Sequence, residues 1–143
     1  MKKDIAILYN SERDGRTYKG FNSSIYTTHF SGVKNLLQKI TKLLLTPIGS
    51  DMYNPGAGSS IPNFLSRGPS NIDVPTLESE VISSIGQIEN VIKYDQAIDT
   101  TLNDSERLKS INLESVAIQS GGKEIYITLL IKTMENFTYI VRI

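Results

Sequence analysis

Between Val33 and Leu44 the apolar residues Val33, Leu36, Leu37, Ile40, Leu43 and Leu44 recur at the i, i+3, i+4, i+7 spacing of a helix. At a step of about 100° per residue they fall within an arc of roughly 120°. Lys34, Asn35, Gln38, Lys39, Thr41 and Lys42 take the other side. Ser31 or Gly32 can cap the start. Pro47 ends the helix, because its ring pushes Thr46 out of the α region. A second helix is predicted from about Pro75 to Tyr94, with Pro75 suited to the first turn. Its apolar arc is Leu77, Val81, Ile85, Ile88, Val91 and Ile92, and Gly86 falls opposite.

The period then changes from 3.6 to 2. In "KEIYITLLIK", Ile125, Ile127, Leu129 and Ile131 alternate with Glu124, Tyr126, Thr128, Leu130 and Lys132. Upstream, Ile111 and Leu113 are out of phase with Val116 and Ile118, which predicts a bulge near Glu114–Ser115. Gly121 and Gly122 in "QSGGK" offer hairpin chemistry. In "FTYIVRI", Phe137, Tyr139, Val141 and Ile143 share a face. These segments form a three-stranded meander with two helices over one face. Tyr126, Leu130 and Ile140 keep the other face from being wholly polar. The last strand, at the end of the sequence, is expected at a sheet edge, where unpaired backbone accepts another chain's strand.

Between the helices, "LLLTPIGSDMYNPGAGSSI" places two Pro/Gly turns close together. Thr46-Pro47-Ile48-Gly49 suits a type I turn and Asn54-Pro55-Gly56-Ala57 a type II turn. Order is expected to about Met52–Tyr53, then a more mobile stretch to about Asp73. Residues 1–30 scatter Tyr9, Tyr18, Phe21, Tyr26 and Phe30 without a period. They are expected to form an extended arm with one short strand at Ile5–Tyr9, its aromatics lying on the domain or a neighbour. The fold class is α+β: two amphipathic helices on a small, mainly antiparallel C-terminal sheet, with an arm at 1–30 and one domain at 31–143.

Composition narrows the function classes. A chain of 143 residues is long enough for a real core. Lys+Arg and Asp+Glu both number 15, so no basic surplus marks a general nucleic-acid binder. The absence of cysteine excludes disulfides, iron–sulfur clusters, thiolate zinc sites and cysteine nucleophiles. No apolar run approaches the roughly 20 residues of a membrane span, and Ile5–Leu8 is too short for a signal peptide's apolar region. A soluble protein of a cytoplasm-like compartment is expected.

Candidate chemistry is sparse. His29 is the only histidine and lies outside any G-x-S-x-G context. "GAGSS" lacks the lysine of a P-loop. Glu78, Glu80 and Glu89 read as a solvated helix face, and Asp99, Asp104 and Glu106 as a polar linker, so no pair is singled out for glycoside hydrolysis. No catalytic, metal or cofactor site is assigned.

The corner does carry a resemblance. "LLLTPIGSDMYNPGAGS" resembles the baseplate-wedge, or sheath-initiator, family of contractile phage tails and related injection systems. Its helix ends in a Thr-Pro-x-Gly-Ser turn followed by an aromatic, a Pro and a Gly: Thr46, Pro47, Gly49, Ser50, Tyr53, Pro55 and Gly58. The order of elements from about Ser31 to Ile143 is also similar. Members carry Glu-Pro-Arg before the first long strand, and the matching region here is "NDSERLKSI". Glu106 and Arg107 match the charged ends if the Pro is missing, or Ser105-Glu106-Arg107 replaces all three and keeps only the Arg. The resemblance implies a protein without chemistry of its own, present in six copies in the tail baseplate of a virion and assembled in host cytoplasm. It implies wedge-core contacts through Glu106 and Arg107. It also implies strand addition by tail sheath at Phe137, Tyr139, Ile140, Val141 and Arg142, with tube or hub proteins as further neighbours, and no nucleic acid or membrane. The alternatives are a cell-wall glycosidase, since some members carry a lysozyme-like label although nothing in these residues supports that activity, or another tail adaptor such as a terminator or neck protein.

Overall fold

The two periodicities become an α+β fold in the computed structural model, which describes residues 3–5, 8–13, 16–21, 29–66, 73–119 and 124–143, with side chains from Gly32 onward. Ahead of the helices, β1 (Lys3–Ile5) pairs antiparallel with β4 (His29–Ser31), and β2 (Leu8–Arg13) with β3 (Arg16–Phe21). Two strand pairs thus replace the single strand expected at Ile5–Tyr9. The sequence between β2 and β3 is Asp14-Gly15, a strong hairpin signal that a search for apolar periods passes over. The expected packing of the arm's aromatics lies outside the described side chains.

Helix α1 runs Val33–Leu45, with Gly32 as its N-cap at φ 65°. Leu36, Ile40 and Leu44 are buried as the arc requires, but so are Gln38 and Thr41, which the period places on the solvent side. Thr41 stays satisfied by donating its hydroxyl to the Leu37 carbonyl. Within the stretch expected to be mobile, the chain forms a short helix, α2 (Ile61–Leu65), that buries Ile61 and Phe64, while residues 67–72 lie outside the described residues. Pro62 fits its first turn, where a missing N–H costs nothing.

Helix α3 spans Val74–Ile98, longer than the predicted 75–94. Asp73 is its N-cap, its carboxylate accepting from the Thr76 hydroxyl and amide. Those bonds hold the Asp73 carboxyl below its ordinary value. The cap's contribution is therefore present above the unfolded value and lost as pH falls through the lowered one. Leu77, Val81, Ile85, Ile88 and Ile92 are buried, while Val91 is half-buried. Gly86 is exposed, with open space where a Cβ would stand. Gly86→Ala is accordingly expected to stabilise the fold by about 0.5–1 kcal/mol, seen as a raised urea midpoint at unchanged slope.

The sheet has the order β5-β6-β7, formed by β5 (Leu108–Gln119), β6 (Glu124–Thr133) and β7 (Thr138–Arg142), all antiparallel. The predicted bulge is present as a register shift between Leu113 and Ser115. A second shift lies between Leu108 and Ser110. Ile127, Leu129 and Ile131 of β6 meet Leu36, Ile40, Leu77, Val81, Ile88 and Ile92 in one core, with Tyr139, Val141 and Ile143 packed at its margin. The "QSGGK" turn falls outside the described residues.

Candidate interaction site

Three features converge on the functional question: the corner after α1, the junction between α3 and β5, and the two edges of the sheet.

The corner is built by backbone. The Ser59 amide donates to the Thr46 carbonyl at 2.8 Å, and the Ile48 amide donates to the Ser59 carbonyl at 2.9 Å. Residues 46–48 and 59 thus run side by side in a parallel bridge between Pro47 and Ser59. Ser59 is fully buried and donates its hydroxyl to the Leu44 carbonyl, satisfying an orphan acceptor at the end of α1. The Thr46 hydroxyl does the same for Lys42. Gly58 lies against this bridge: a Cβ there would stand 2.7 Å from the Thr46 carbonyl oxygen, and its φ is 124°. Both turn types differ from expectation. The first hydrogen-bonded turn is shifted by one residue, from the Pro47 carbonyl to the Ser50 amide, with Gly49 at φ 83° as its third residue. The second is closed by the Ala57 amide on the Asn54 carbonyl, but Gly56 has no positive φ, so it is not type II. Between the turns, the Asp51 carboxylate accepts from the Tyr53 and Asn54 amides. The resulting tip presents Met52 and Tyr53 at 85% and 95% exposure. Of the seven family-like positions, Gly58 and Thr46 form the packed base with Pro47, and Tyr53 is outside it.

At the α3–β5 junction a 3-10 turn, Asp104–Glu106, leads into β5. Glu106 is not a linker charge in solvent; it is 5% exposed. Its Oε2 accepts from the Asn103 amide in a capping box, and the Asn103 side chain accepts in return from the amide of Glu106. Its other oxygen lies near the N-cap Gly32 of α1. Arg107 donates to three backbone carbonyls: Nη2 to Asp99 at 3.0 Å, Nη1 to Gln96 at 3.1 Å and Nε to Leu102 at 3.3 Å. These close the C-terminal end of α3, where a cation also suits the helix dipole. The guanidinium is used within the chain. A cleft lined by Gly32, Asn35, Lys39, Asp95, Gln96 and Glu106 adjoins it, with about 40 Å³ of interior space, well below an ordinary ligand pocket.

The two sheet edges differ. On β5, the Leu108 amide donates to Gln96 Oε1 and the Ile111 amide to Glu89 Oε2, both from α3. Glu89 is thus more than part of a solvated helix face. With two register shifts, this edge is poorly suited to another strand. On β7, Ile143 exchanges both backbone bonds with Ile127. Antiparallel alternation then turns Tyr139 and Val141 toward β6 and leaves the amides and carbonyls of Thr138, Ile140 and Arg142 facing outward. Among the described residues no strand covers that side. Ile140 is 68% exposed. Arg142 lies over the Tyr126 ring, 5.3 Å from its centre. Phe137, expected within the strand, sits one residue before it and is exposed.

Among the described residues there is no cluster of His, Asp and Glu that could hold a metal ion, and no helix long and apolar enough to cross a membrane. Comparison with protein-family models, curated proteins and solved structures finds no match for the chain.

Proposed function

We propose that this protein is a structural wedge component of a contractile-tail baseplate or a related injection system, and that it templates the first ring of tail sheath by accepting a β-strand. The observation that carries the reading is the open β7 edge, opposite a β5 edge whose Leu108 and Ile111 amides are taken by α3. The corner supports it, since three of the seven positions that carry the resemblance to sheath initiators, Thr46, Pro47 and Gly58, form its packed base. Wedge-core partners meet the chain at the α3–β5 junction on this reading. Glu106 and Arg107 act there by holding the junction's shape, because both are engaged internally. Six copies would surround the tube, with tube or hub proteins inside them.

The test is co-purification with the sheath and wedge proteins encoded beside it, followed by electron microscopy. Assemblies containing the chain should seed straight sheath, and omission should abolish seeding. Ile140→Asp places a charge on an exposed position of the strand and should reduce sheath recruitment while leaving the urea midpoint near the parent's. Sheath that nucleates equally well with folded Ile140→Asp protein would remove β7 from the mechanism. Clearing of a peptidoglycan suspension by the pure protein would favour the glycosidase instead.

A further inference from the structure

The β7 edge is complementary to itself. Outward backbone groups belong to Thr138, Ile140 and Arg142, which are spaced symmetrically about Ile140. An antiparallel copy centred there sets Thr138 against the copy's Arg142 and Ile140 against its own counterpart, each position exchanging both backbone bonds. On the core side, Tyr139 meets Val141 and Phe137 meets Ile143. Those are aromatic and β-branched pairs, which favour cross-strand contact. Arg142 faces a threonine rather than another Arg142, so the register sets no like charges opposite one another. Tyr139, Val141 and Ile143 are only partly covered at the margin of the core, and a second copy would extend that cover. Helix α3 packs on β5, the strand farthest from this seam, and leaves it accessible.

We infer that the free chain pairs with a second copy of itself through β7, in a two-fold antiparallel register centred on Ile140. The contact is closed, because a two-fold antiparallel seam uses the β7 edge of both copies and leaves neither free for a third. It also occupies the edge that sheath would take, so a free chain would be held from nucleating sheath until wedge partners separate the pair. That second consequence rests on the strand-addition reading; the pairing does not.

The test is sedimentation equilibrium of the purified chain over a concentration series. A single-strand seam is smaller than a standard interface, so dimer should appear at about tens of micromolar. Ile140→Pro removes an outward amide without touching a bond to β6, and proline is tolerated on an edge strand in that orientation. It should weaken association about tenfold or more while circular dichroism stays native. Register is tested by charge. Ile140→Lys and Ile140→Glu should each be monomeric alone, since like charges face across the axis, and should form a mixed dimer when combined. A wild-type chain that stays monomeric to about 100 µM, above the range expected for a seam of this size, overturns the inference. So does a dimer unaffected by Ile140→Pro, or a mixture of Ile140→Lys and Ile140→Glu that fails to associate. Sheath seeding by the wild type is read separately, so loss of the pairing leaves the proposed function standing.

Discussion

Gly58→Ala is expected to lower stability by about 3 kcal/mol, the sum of a left-handed backbone strain and a steric conflict with no flexible partner. The added Cβ would meet the Thr46 carbonyl oxygen at 2.7 Å and the Ile48 nitrogen at 3.1 Å, both backbone atoms held by the bridge to Ser59. Relief requires parting residues 46–48 from Ser59, which also withdraws the Ser59 hydroxyl from Leu44. The melting temperature should fall by roughly 10 °C. Gly49→Ala is the control: its φ is 83° but nothing stands within 4 Å of the added carbon. Strain alone should cost about 1 kcal/mol there. Equal losses at the two positions would mean that the corner is not packed as described.

Arg107→Ala is the second large effect, at about 2–3 kcal/mol. It removes three charge-assisted bonds from carbonyls at the end of α3 and in the loop beyond it. Arg107→Lys should recover less than half, because one ammonium cannot span carbonyls that the planar fork reaches together. Urea unfolding of the three proteins checks this, and a lysine variant as stable as the parent would refute it. On the proposed baseplate reading, Arg107→Ala should also weaken wedge formation, through the disturbed junction.

Why the sequence revealed some of this and concealed the rest follows from the range of each cause. The apolar arcs of α1 and α3 and the phase break at Glu114–Ser115 are local periodicities, and the structure follows them. The last turn of α3 carries only Ala97 and Ile98 as apolar residues after Tyr94, and both are exposed. It is helical because Gln96 is buried against Leu108 and Glu106, and because Arg107 closes the end; those partners lie 10 to 12 residues on. Glu89 looked solvated for the same reason: its acceptor role depends on Ile111, far along the chain. Gln38 and Thr41 are buried by tertiary surroundings that a helical wheel does not contain. Of the site, the β7 residues were legible from alternation. The side-chain acceptors that α3 supplies to Leu108 and Ile111 on the opposite edge were not.

The geometry of β7 also sets how the molecule would carry force. Its hydrogen bonds to β6 run across the strand from Thr133–Phe137 to Ile127–Ile143. Tension directed along the strand loads those bonds together, in shear, so that they must fail as a group. Tension directed away from the sheet loads them one after another, like a zipper. An attached filament pulling along the strand direction would find a firm anchor, and one peeling sideways would find a release, without any change in the residues involved.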